Sequence, residues 1–248
     1  MTIVSFNGVG KIYRRRGLGS SSQVVALTDF TLDIEKGEIL GLLGLNGAGK
    51  TTVMKLLTGL LFPTTGGVSV FGLDPREPQA KNSIGFLPEL PYFSPHVTAA
   101  SALRYYGRLS GMPPRAIEAA LPAVIEKVGL VPHKAKKISE FSKGMLQRLG
   151  LAQAVLHSPE LLVLDEPVSG LDPLAIHDMR ALISRLQAEG RTIFLSSHSI
   201  SELEKICDRV IIMVRGRQAR AVKREEWEMT SGGLEALFVE AVTSGARD

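Results

Sequence analysis

The sequence predicts an α/β fold with a mostly parallel sheet, an N-terminal antiparallel β subdomain and an inserted α-helical subdomain. Three observations support this prediction. Residues 2–34 contain two stretches in which apolar and polar residues alternate. Between Thr98 and His157 the strand pattern is replaced by helical patterns. Strand and helix patterns then alternate to about residue 214, which is typical of a parallel sheet covered by helices.

The composition is that of an ordinary globular protein, with 44% apolar residues, 22% charged residues and a net charge of +4. A chain of 248 residues can bury a sizeable core, either as one large domain or as a core with an inserted subdomain. The N-terminus lacks a basic, apolar leader pattern and no run of about 18 apolar residues occurs, so we expect neither secretion nor a membrane span. The single cysteine, Cys207, excludes an internal disulfide and suits a reducing cytosol.

The N-terminal region reads as two strands, Thr2–Phe6 and Val24–Ile34, followed by a turn at Glu35-Lys36-Gly37. Residues 14–22 between them have the composition of a loop. Their arginines form one of three basic runs, with residues 134–137 and 215–224. We interpret each run as a solvated face in preference to a surface for an acidic partner or an anionic membrane.

A glycine-rich loop, Gly44-Leu45-Asn46-Gly47-Ala48-Gly49-Lys50-Thr51, follows the next strand pattern and precedes a helical one. Its glycines lack a Cβ, so the loop can turn tightly and aim backbone N–H groups at phosphate oxygens. A helix that begins near Lys50 adds unpaired N–H groups and the positive end of its dipole. A chance glycine-rich turn is the alternative, but it rarely falls between a strand and a helix. The motif predicts a nucleoside triphosphate site in a P-loop NTPase core.

The side chains of this loop fit that chemistry. Lys50 can reach the β- and γ-phosphates as a point charge, and the Thr51 hydroxyl can ligate a bridging magnesium ion. Thr52 offers a further donor towards the α-phosphate. Tyr13 lies upstream at a strand end, where its ring can stack on an adenine or pack in the core; the residues alone leave both open.

The middle of the chain supplies the remaining elements. Val53–Leu61 has helical spacing and ends near Gly59 and Pro63, and Gly66–Gly72 reads as a short hairpin. Ser83–Leu87 reads as a strand that runs into the loop Pro88-Glu89-Leu90-Pro91. The three helical patterns of the inserted part are Thr98–Leu109, Pro114–Val128 and Ser142–Leu156.

Two acids follow a uniformly apolar strand pattern, Leu161–Leu164. Open α/β sheets bind ligands at the carboxyl ends of their strands, so Asp165 can hold magnesium through its water shell. Glu166, one position further, is the candidate general base for the attacking water. A charge pair at a helix N-terminus fits poorly, because Pro167 and Ser169-Gly170 intervene.

His198 follows the next strand pattern, Thr192–Ser196. A lone histidine is more often structural than catalytic, but at a strand end its imidazole can hydrogen-bond a γ-phosphate oxygen. Both readings stay open on these grounds. The tail contains one amphipathic segment, Gly233–Val239, which predicts a short helix.

The order of these elements over nearly the whole chain resembles the nucleotide-binding subunit of an ATP-binding cassette (ABC) transporter. The family's Walker A loop, Walker B strand, D-loop and switch histidine match Gly44–Thr51, Leu161–Glu166, Ser169–Asp172 and His198. The family's signature motif maps onto Phe141-Ser142-Lys143-Gly144-Met145, followed by the expected Gln147-Arg148. Similar Ser-Lys-Gly-Met variants are familiar from one bacterial exporter branch.

This resemblance implies ATP and Mg²⁺ as cofactors and an ATPase as the activity. It favours adenine stacking for Tyr13 and assigns catalysis to Glu166, His198 and Lys50. The implied nucleotide contacts are Asn46, Gly47, Ala48, Gly49, Lys50, Thr51 and Thr52, with Ser142 and Gly144 contacting the opposing nucleotide. The implied magnesium contacts are Thr51, Asp165 and Glu89.

Four positions depart from the family pattern. Leu45 replaces a proline whose side chain points away from phosphate in related proteins, and Lys143 and Met145 replace the commoner Gly and Gln of the signature. Glu89 stands where the family has a glutamine. A carboxylate can still ligate magnesium there, but it adds a negative charge near the site.

The resemblance also implies partners. Two ATPase subunits, in a homodimer or heterodimer, would sandwich two ATP molecules head to tail and power a separate transmembrane permease at the cytoplasmic face of a bacterial-type membrane. The loop around Glu89 and the aromatic and apolar side chains of the helical part can dock that permease or pack in the core: Tyr92, Phe93, Leu103, Tyr105 and Tyr106. We expect no nucleic acid partner.

Two other classes are weighed against this reading. Soluble relatives that act on DNA or ribosomes generally need a long coiled coil, a zinc hook or a second cassette, and this sequence has none. A regulator without hydrolysis predicts loss of Glu166 or His198, and both are present. We expect an ABC ATPase domain at residues 1–220, with the helical subdomain at about 96–158, and a tail at 221–248.

Overall fold

The structure is a computed structural model that describes residues 1–17 and 20–244, without the side chains of residues 15–22. The chain forms two compact units. The first comprises Met1–Lys81 and Phe194–Asp248, and the second comprises Asn82–Ile193.

The strands are β1 Thr2–Gly17, β2 Ser20–Glu35, β3 Ile39–Gly44, β4 Thr65–Val70, β5 Ile84–Leu87, β6 Leu161–Asp165, β7 Thr192–Ser197, β8 Arg209–Val214 and β9 Arg217–Lys223. The α-helices are α1 Lys50–Leu57, α2 Pro78–Asn82, α3 Ala99–Leu109, α4 Pro114–Lys127, α5 Lys143–Val155, α6 Pro173–Ala188, α7 Ile200–Ile206, α8 Arg224–Met229 and α9 Gly233–Ser244. Short 3₁₀ turns occupy Val131–His133 and Ile138–Glu140.

The first unit contains an antiparallel sheet with the strand order β2-β1-β4. Phe6 of β1 stands opposite Leu32 of β2 and Val68 of β4. Phe6 and Phe30 are both fully buried and meet edge to face with their ring centroids 5.5 Å apart. Alternating inward side chains thus give this sheet one apolar face.

The same unit contains strands in the order β7-β3-β8-β9, of which β7 begins in the second unit. β3 pairs in parallel with β8, and β9 adds an antiparallel edge. Every residue of β3 is buried, as expected for a strand covered on both faces. The register pairs Gly44, the last residue of β3, with Met213.

The second unit is built on β5 and β6, which are parallel, with Leu87 opposite Leu164. Helices α3, α4 and α5 pack on one another, and α5 also packs on β5. Side chains such as Leu103, Leu149 and Leu151 are fully buried between these elements. Thr98 and Ser142 cap α3 and α5 by accepting hydrogen bonds from Ser101 N–H and Met145 N–H, so both helices begin where the sequence predicts.

The predicted fold class is confirmed, and so is the short C-terminal helix, which is α9. The loop prediction for residues 14–22 was wrong for its described part, because the ladder of β1 and β2 continues from Arg14 opposite Gln23 to Gly17 opposite Ser20; residues 18–19 lie outside the described residues. Backbone hydrogen bonds carry this ladder without any apolar pattern.

The hairpin predicted for Gly66–Gly72 is present only in part. Most of this segment forms the strand β4, which pairs with β1, and the chain then turns at Phe71 and Gly72 so that Val70 forms an isolated antiparallel bridge with Leu73. Both β9 and α8 lie in a region for which the sequence predicted neither. The division at about residues 96–158 and 221–248 stays a prediction.

Candidate functional site

The glycine-rich loop follows the buried end of β3 and leads into α1. Gly49 stands at the N-cap of α1 with a φ of 107°, a left-handed conformation that favours glycine. A Cβ on Gly49 would also lie 2.8 Å from the carbonyl oxygen of Ala26. This position therefore requires glycine, and the helix N-terminus behind it leaves backbone donors for phosphate.

The Lys50 side chain is buried and folds back over its own loop. Its Nζ donates a hydrogen bond to the carbonyl oxygen of Gly44 at 2.7 Å. Thr51 and the loop residues Asn46 and Gly47 are exposed, whereas Ala48 and Thr52 are buried. The loop thus presents its backbone and Thr51 to solvent while its lysine is held close to the loop.

Tyr13 lies in the same unit and contacts the phosphate-loop helix. Its hydroxyl is 3.4 Å from Oγ1 of Thr52, and 37% of the residue is exposed. The Tyr13 side chain is therefore not buried in the core. Its hydroxyl stands at the first turn of α1.

His198 is exposed immediately after β7, the strand next to β3. The residue before it, Ser197, is buried, and its Oγ accepts a hydrogen bond from the N–H of Ser199 at 3.0 Å. This bond shapes the turn that carries His198.

Three predicted acids lie in the second unit at one edge of β5 and β6. Asp165 is the last residue of β6, Glu166 follows it, and Glu89 lies in the loop after β5. Because the two strands are parallel, their carboxyl ends meet at the same edge. Asp165 and Glu166 are buried and Glu89 is exposed. One or two carboxylates with phosphate oxygens and water are a donor set that fits Mg²⁺.

The backbone at Glu166 is strained. Its φ of 48° is positive, which non-glycine residues rarely adopt and which costs on the order of 1–3 kcal/mol. Its carbonyl oxygen accepts a hydrogen bond from the N–H of Ser169 at 3.1 Å, so a tight turn follows the strand. Strain of this kind concentrates where a side chain must point in one functional direction.

The signature segment forms the start of α5. Ser142 is the N-cap, and its Oγ accepts from the N–H of Met145 at 3.3 Å. Ser142 and Gly144 line an open cleft of about 250 Å³ together with Asp172 and Ala175 at the start of α6. A Cβ on Gly144 would lie 3.5 Å from the Cβ of Ala175, an ordinary van der Waals distance, so the two helix starts lie close together without requiring a glycine at this position.

Two residues position these groups through contacts that the sequence did not predict, although Gln147 was expected as part of the region after the signature. Gln147, which is fully buried, donates its side-chain N–H to the carbonyl oxygen of Glu89 at 3.4 Å and so fastens the loop that carries Glu89. Lys11 lies against the Tyr13 ring with its Nζ 5.4 Å from the ring centroid. The only sequence signal for Lys11 is its place two residues before Tyr13 on one strand.

The aromatic and apolar residues of the helical part divide into two groups. Phe93 and Leu103 are buried and belong to the core, as one of the two readings predicted. Tyr92 and Tyr105 are 83% and 60% exposed. Tyr106 is half-buried, meets the ring of Phe93 edge to face, and donates its hydroxyl to the carbonyl oxygen of Tyr92 at 3.2 Å.

Across the described part of the chain, every helix is too short or too polar to cross a lipid bilayer. The glycine-rich loop at a helix N-terminus and the acids at the end of a parallel strand define the class of P-loop nucleotide-binding domains. Within that class, the chain belongs to the ABC transporter family, whose model matches residues 27–169.

Named relatives agree with this assignment. An uncharacterized ABC transporter ATP-binding protein of Nostoc sp. is 42% identical over 87% of this chain and 64% of its own length. A counterpart from Synechocystis sp. is 41% identical over 84% of this chain and 59% of its own length, so the chain spans about three fifths of these relatives. The bacitracin transport ATP-binding protein BcrA of Enterococcus faecalis is 39% identical over 88% of this chain and 74% of its own length.

Solved structures show the same fold. An ATP-binding subunit of an ABC transporter superimposes with a TM-score of 0.81 at 29% identity, over 96% of this chain and 99% of that one. An ATP-binding cassette dimer in a post-hydrolysis state, bound to ADP and Pi, gives a TM-score of 0.79 over 90% and 99% of the two chains. Because the second structure is only 22% identical in sequence, its similarity supports the fold assignment alone.

Proposed function

We propose that this chain is the ATP-binding and hydrolysing subunit of an ABC transporter and that it drives substrate movement, by export, through a separate transmembrane permease. It acts at the cytoplasmic face of the membrane. Its family supports this proposal, as do relatives named for bacitracin transport and Nod factor export, of which the second is 36% identical over 78% of this chain.

Each site residue has a role in this proposal. The phosphate loop and the N-terminus of α1 bind the triphosphate, with Lys50 neutralising β- and γ-phosphate charge. Thr51 and Asp165 are the residues that would hold Mg²⁺, which would supply charge neutralisation at the phosphates. Glu166 removes a proton from the attacking water, and His198 hydrogen-bonds a γ-phosphate oxygen.

The observation that carries the dimer is the presence of two helix N-termini suited to phosphate. Gly49 opens α1 in the first unit, and Ser142 opens α5 in the second. The resemblance to ABC subunits pairs the phosphate loop of one subunit with the signature of the other. Two subunits then sandwich two ATP molecules, so that binding closes the dimer and hydrolysis reopens it.

The permease docks on the exposed apolar side chains of the second unit. Leu90, Tyr92, Tyr105 and Leu109 are 72%, 83%, 60% and 65% exposed. Large exposed apolar side chains gathered in one region are typical of an interaction surface. The buried Phe93 packs edge to face on Tyr106, which meets the ring of Tyr105 edge to face.

Affinity purification from detergent-solubilised membranes tests this function. We expect the tagged wild-type chain to retain an integral membrane protein, and the variant Tyr92→Ser/Tyr105→Ser to lose it while ATP binding is unchanged. Val239→Ser, which removes a 56% exposed apolar side chain of α9 outside the proposed surface, is the matched control. Retention of ribosomal proteins or DNA in place of a membrane protein would contradict the proposal.

A further inference from the structure

We propose that Lys11 is a positioning residue for the nucleotide base: its ammonium group supports one face of the Tyr13 ring and strengthens stacking of a purine on the other. The inference rests on the proposed function, because it needs a nucleotide at the phosphate loop. Lys11 belongs to none of the motifs that define the family in this sequence.

The geometry begins with the strand. Lys11 and Tyr13 are two residues apart in β1, so their side chains leave the same face. The Nζ of Lys11 lies 5.4 Å from the centroid of the Tyr13 ring, within the range of a cation–π interaction. The cation therefore lies against one face of the ring.

The ammonium group is also anchored. Its Nζ donates a hydrogen bond to the carbonyl oxygen of Phe62 at 2.7 Å. Phe62 follows α1, the helix that begins at the phosphate loop. This bond limits the freedom of the flexible lysine stem and links the cation to the segment that follows α1.

The Tyr13 ring and its strand are also held by hydrogen bonds to α1 and to the segment that follows it. The Tyr13 hydroxyl is 3.4 Å from Oγ1 of Thr52 in α1. The N–H of Ile12 donates to Oγ1 of Thr64 at 3.0 Å, and the N–H of Thr64 donates to the carbonyl oxygen of Gly10 at 2.7 Å. The ring is held at its hydroxyl and supported by Lys11 on one face, while 37% of the residue remains exposed. The exposed part is available to a flat base.

The electrostatics of the ring give Lys11 its effect. The faces of an aromatic ring are negative, and two stacked electron-rich rings repel each other through these faces. A cation against one face draws electron density towards itself and makes the opposite face less negative. A purine stacked on that opposite face is then repelled less. The gain applies to the base and not to the phosphates.

Isothermal titration calorimetry with Mg²⁺ present separates the contribution of the base from that of the phosphates. ATP, which carries a base, and inorganic tripolyphosphate, which does not, are the probes. Wild type, Lys11→Met, Lys11→Arg, Tyr13→Leu and the double variant Lys11→Met/Tyr13→Leu are compared. Lys81→Met, which removes an exposed cation outside this cluster, is the charge-matched control. Thermal unfolding of each variant reports whether loss of the bond to Phe62 alters folding.

Lys11→Met should weaken ATP binding about two- to fivefold and leave tripolyphosphate binding unchanged. Lys11→Arg should keep the ATP affinity, because it preserves the cation. In the Tyr13→Leu background, Lys11→Met should have no further effect, since the ring through which it acts is gone.

Other outcomes overturn the inference. Equal weakening of ATP and tripolyphosphate would mean that Lys11 attracts phosphate charge, and an undiminished effect without Tyr13 would mean that it does not act through the ring. If wild type binds tripolyphosphate as tightly as ATP, the base is not held on Tyr13, although the phosphate site stands. If wild type binds neither, the proposed function itself fails.

Discussion

The side chain of Lys143, in the first turn of α5, packs over Gly170 in the turn before α6, and its Nζ lies so close that a Cβ on Gly170 would overlap it. Gly170 also has a φ of 65°, which favours glycine. The signature segment and the turn that follows Glu166 are thus in contact through a lysine that replaces the family's commoner glycine.

Gly170→Ala should lower the free energy of unfolding by about 1–2 kcal/mol, because alanine is strained at this φ. The matched control is Gly190→Ala, which has a φ of 89° and open space around its Cβ and should be destabilised to a similar extent. Only Gly170→Ala also displaces Lys143, so only that variant should lower the ATPase rate. Chemical unfolding and ATPase assays check this; equal rates in the two variants would show that the contact has no functional role.

Glu166→Gln should lower the steady-state ATPase rate by about 10²- to 10⁴-fold while ATP affinity is kept, because an amide cannot accept the proton of the attacking water. The variant preserves the shape of the side chain at the strained φ of 48°. A phosphate-release assay with parallel ATP titration measures both quantities. An unchanged rate would mean that another group is the base.

Glu89→Gln should raise the affinity for ATP measured in a chelator and change it less when Mg²⁺ is saturating. A carboxylate near the triphosphate is tolerable while magnesium compensates its charge, since two like charges at about 4 Å repel by roughly 1–4 kcal/mol. The loop is fastened by Gln147, so the substitution should alter charge alone. Titration with a fluorescent ATP analogue decides this; an unchanged metal-free affinity would assign Glu89 to the surface that meets the permease.

The pKa of His157 lies below its usual value, chiefly because burial disfavours the imidazolium ion. Its Nε2 donates to the carbonyl oxygen of Ile84 at 3.1 Å, and its buried Nδ1 has no hydrogen-bond partner among the described residues. The unfolded chain therefore takes up a proton near pH 6.5 before the folded chain does, and folding stability falls as the pH drops below that value. The urea midpoint of wild type should fall more between pH 7 and 5.5 than that of His157→Gln; parallel shifts would contradict this.

Much of the fold could be predicted because its signals are local. β3, β6 and β7 are buried throughout and each carries a run of apolar residues, and Thr98 and Ser142 are caps that the sequence displays directly. β9 was missed because it is an edge strand in which Val222 is the only buried residue, so its basic side chains hide the alternation.

For the site, the sequence could predict the types of residue involved and their order along the chain. The sequence could indicate Glu166 as a base, but not its positive φ, which depends on the turn closed by Ser169. Likewise, the contact of Lys11 with the Tyr13 ring depends on side-chain direction, and the bond from Gln147 to Glu89 joins segments far apart in the chain. Such long-range contacts follow from packing and leave no periodic trace in the sequence.

The proposed ATP site, shared by the phosphate loop of one subunit and the signature segment of the other, is tested most directly by the oligomeric state of Glu166→Gln. This state is measured with ATP and Mg²⁺ present, by size-exclusion chromatography with light scattering. We expect a dimer, because ATP binds but is not hydrolysed. The further change Ser142→Arg should prevent it by filling the second phosphate site at the start of α5, whereas Ser110→Arg, at the exposed end of α3, should leave the dimer intact. A Glu166→Gln/Ser142→Arg variant that dimerises as well as Glu166→Gln would contradict the account.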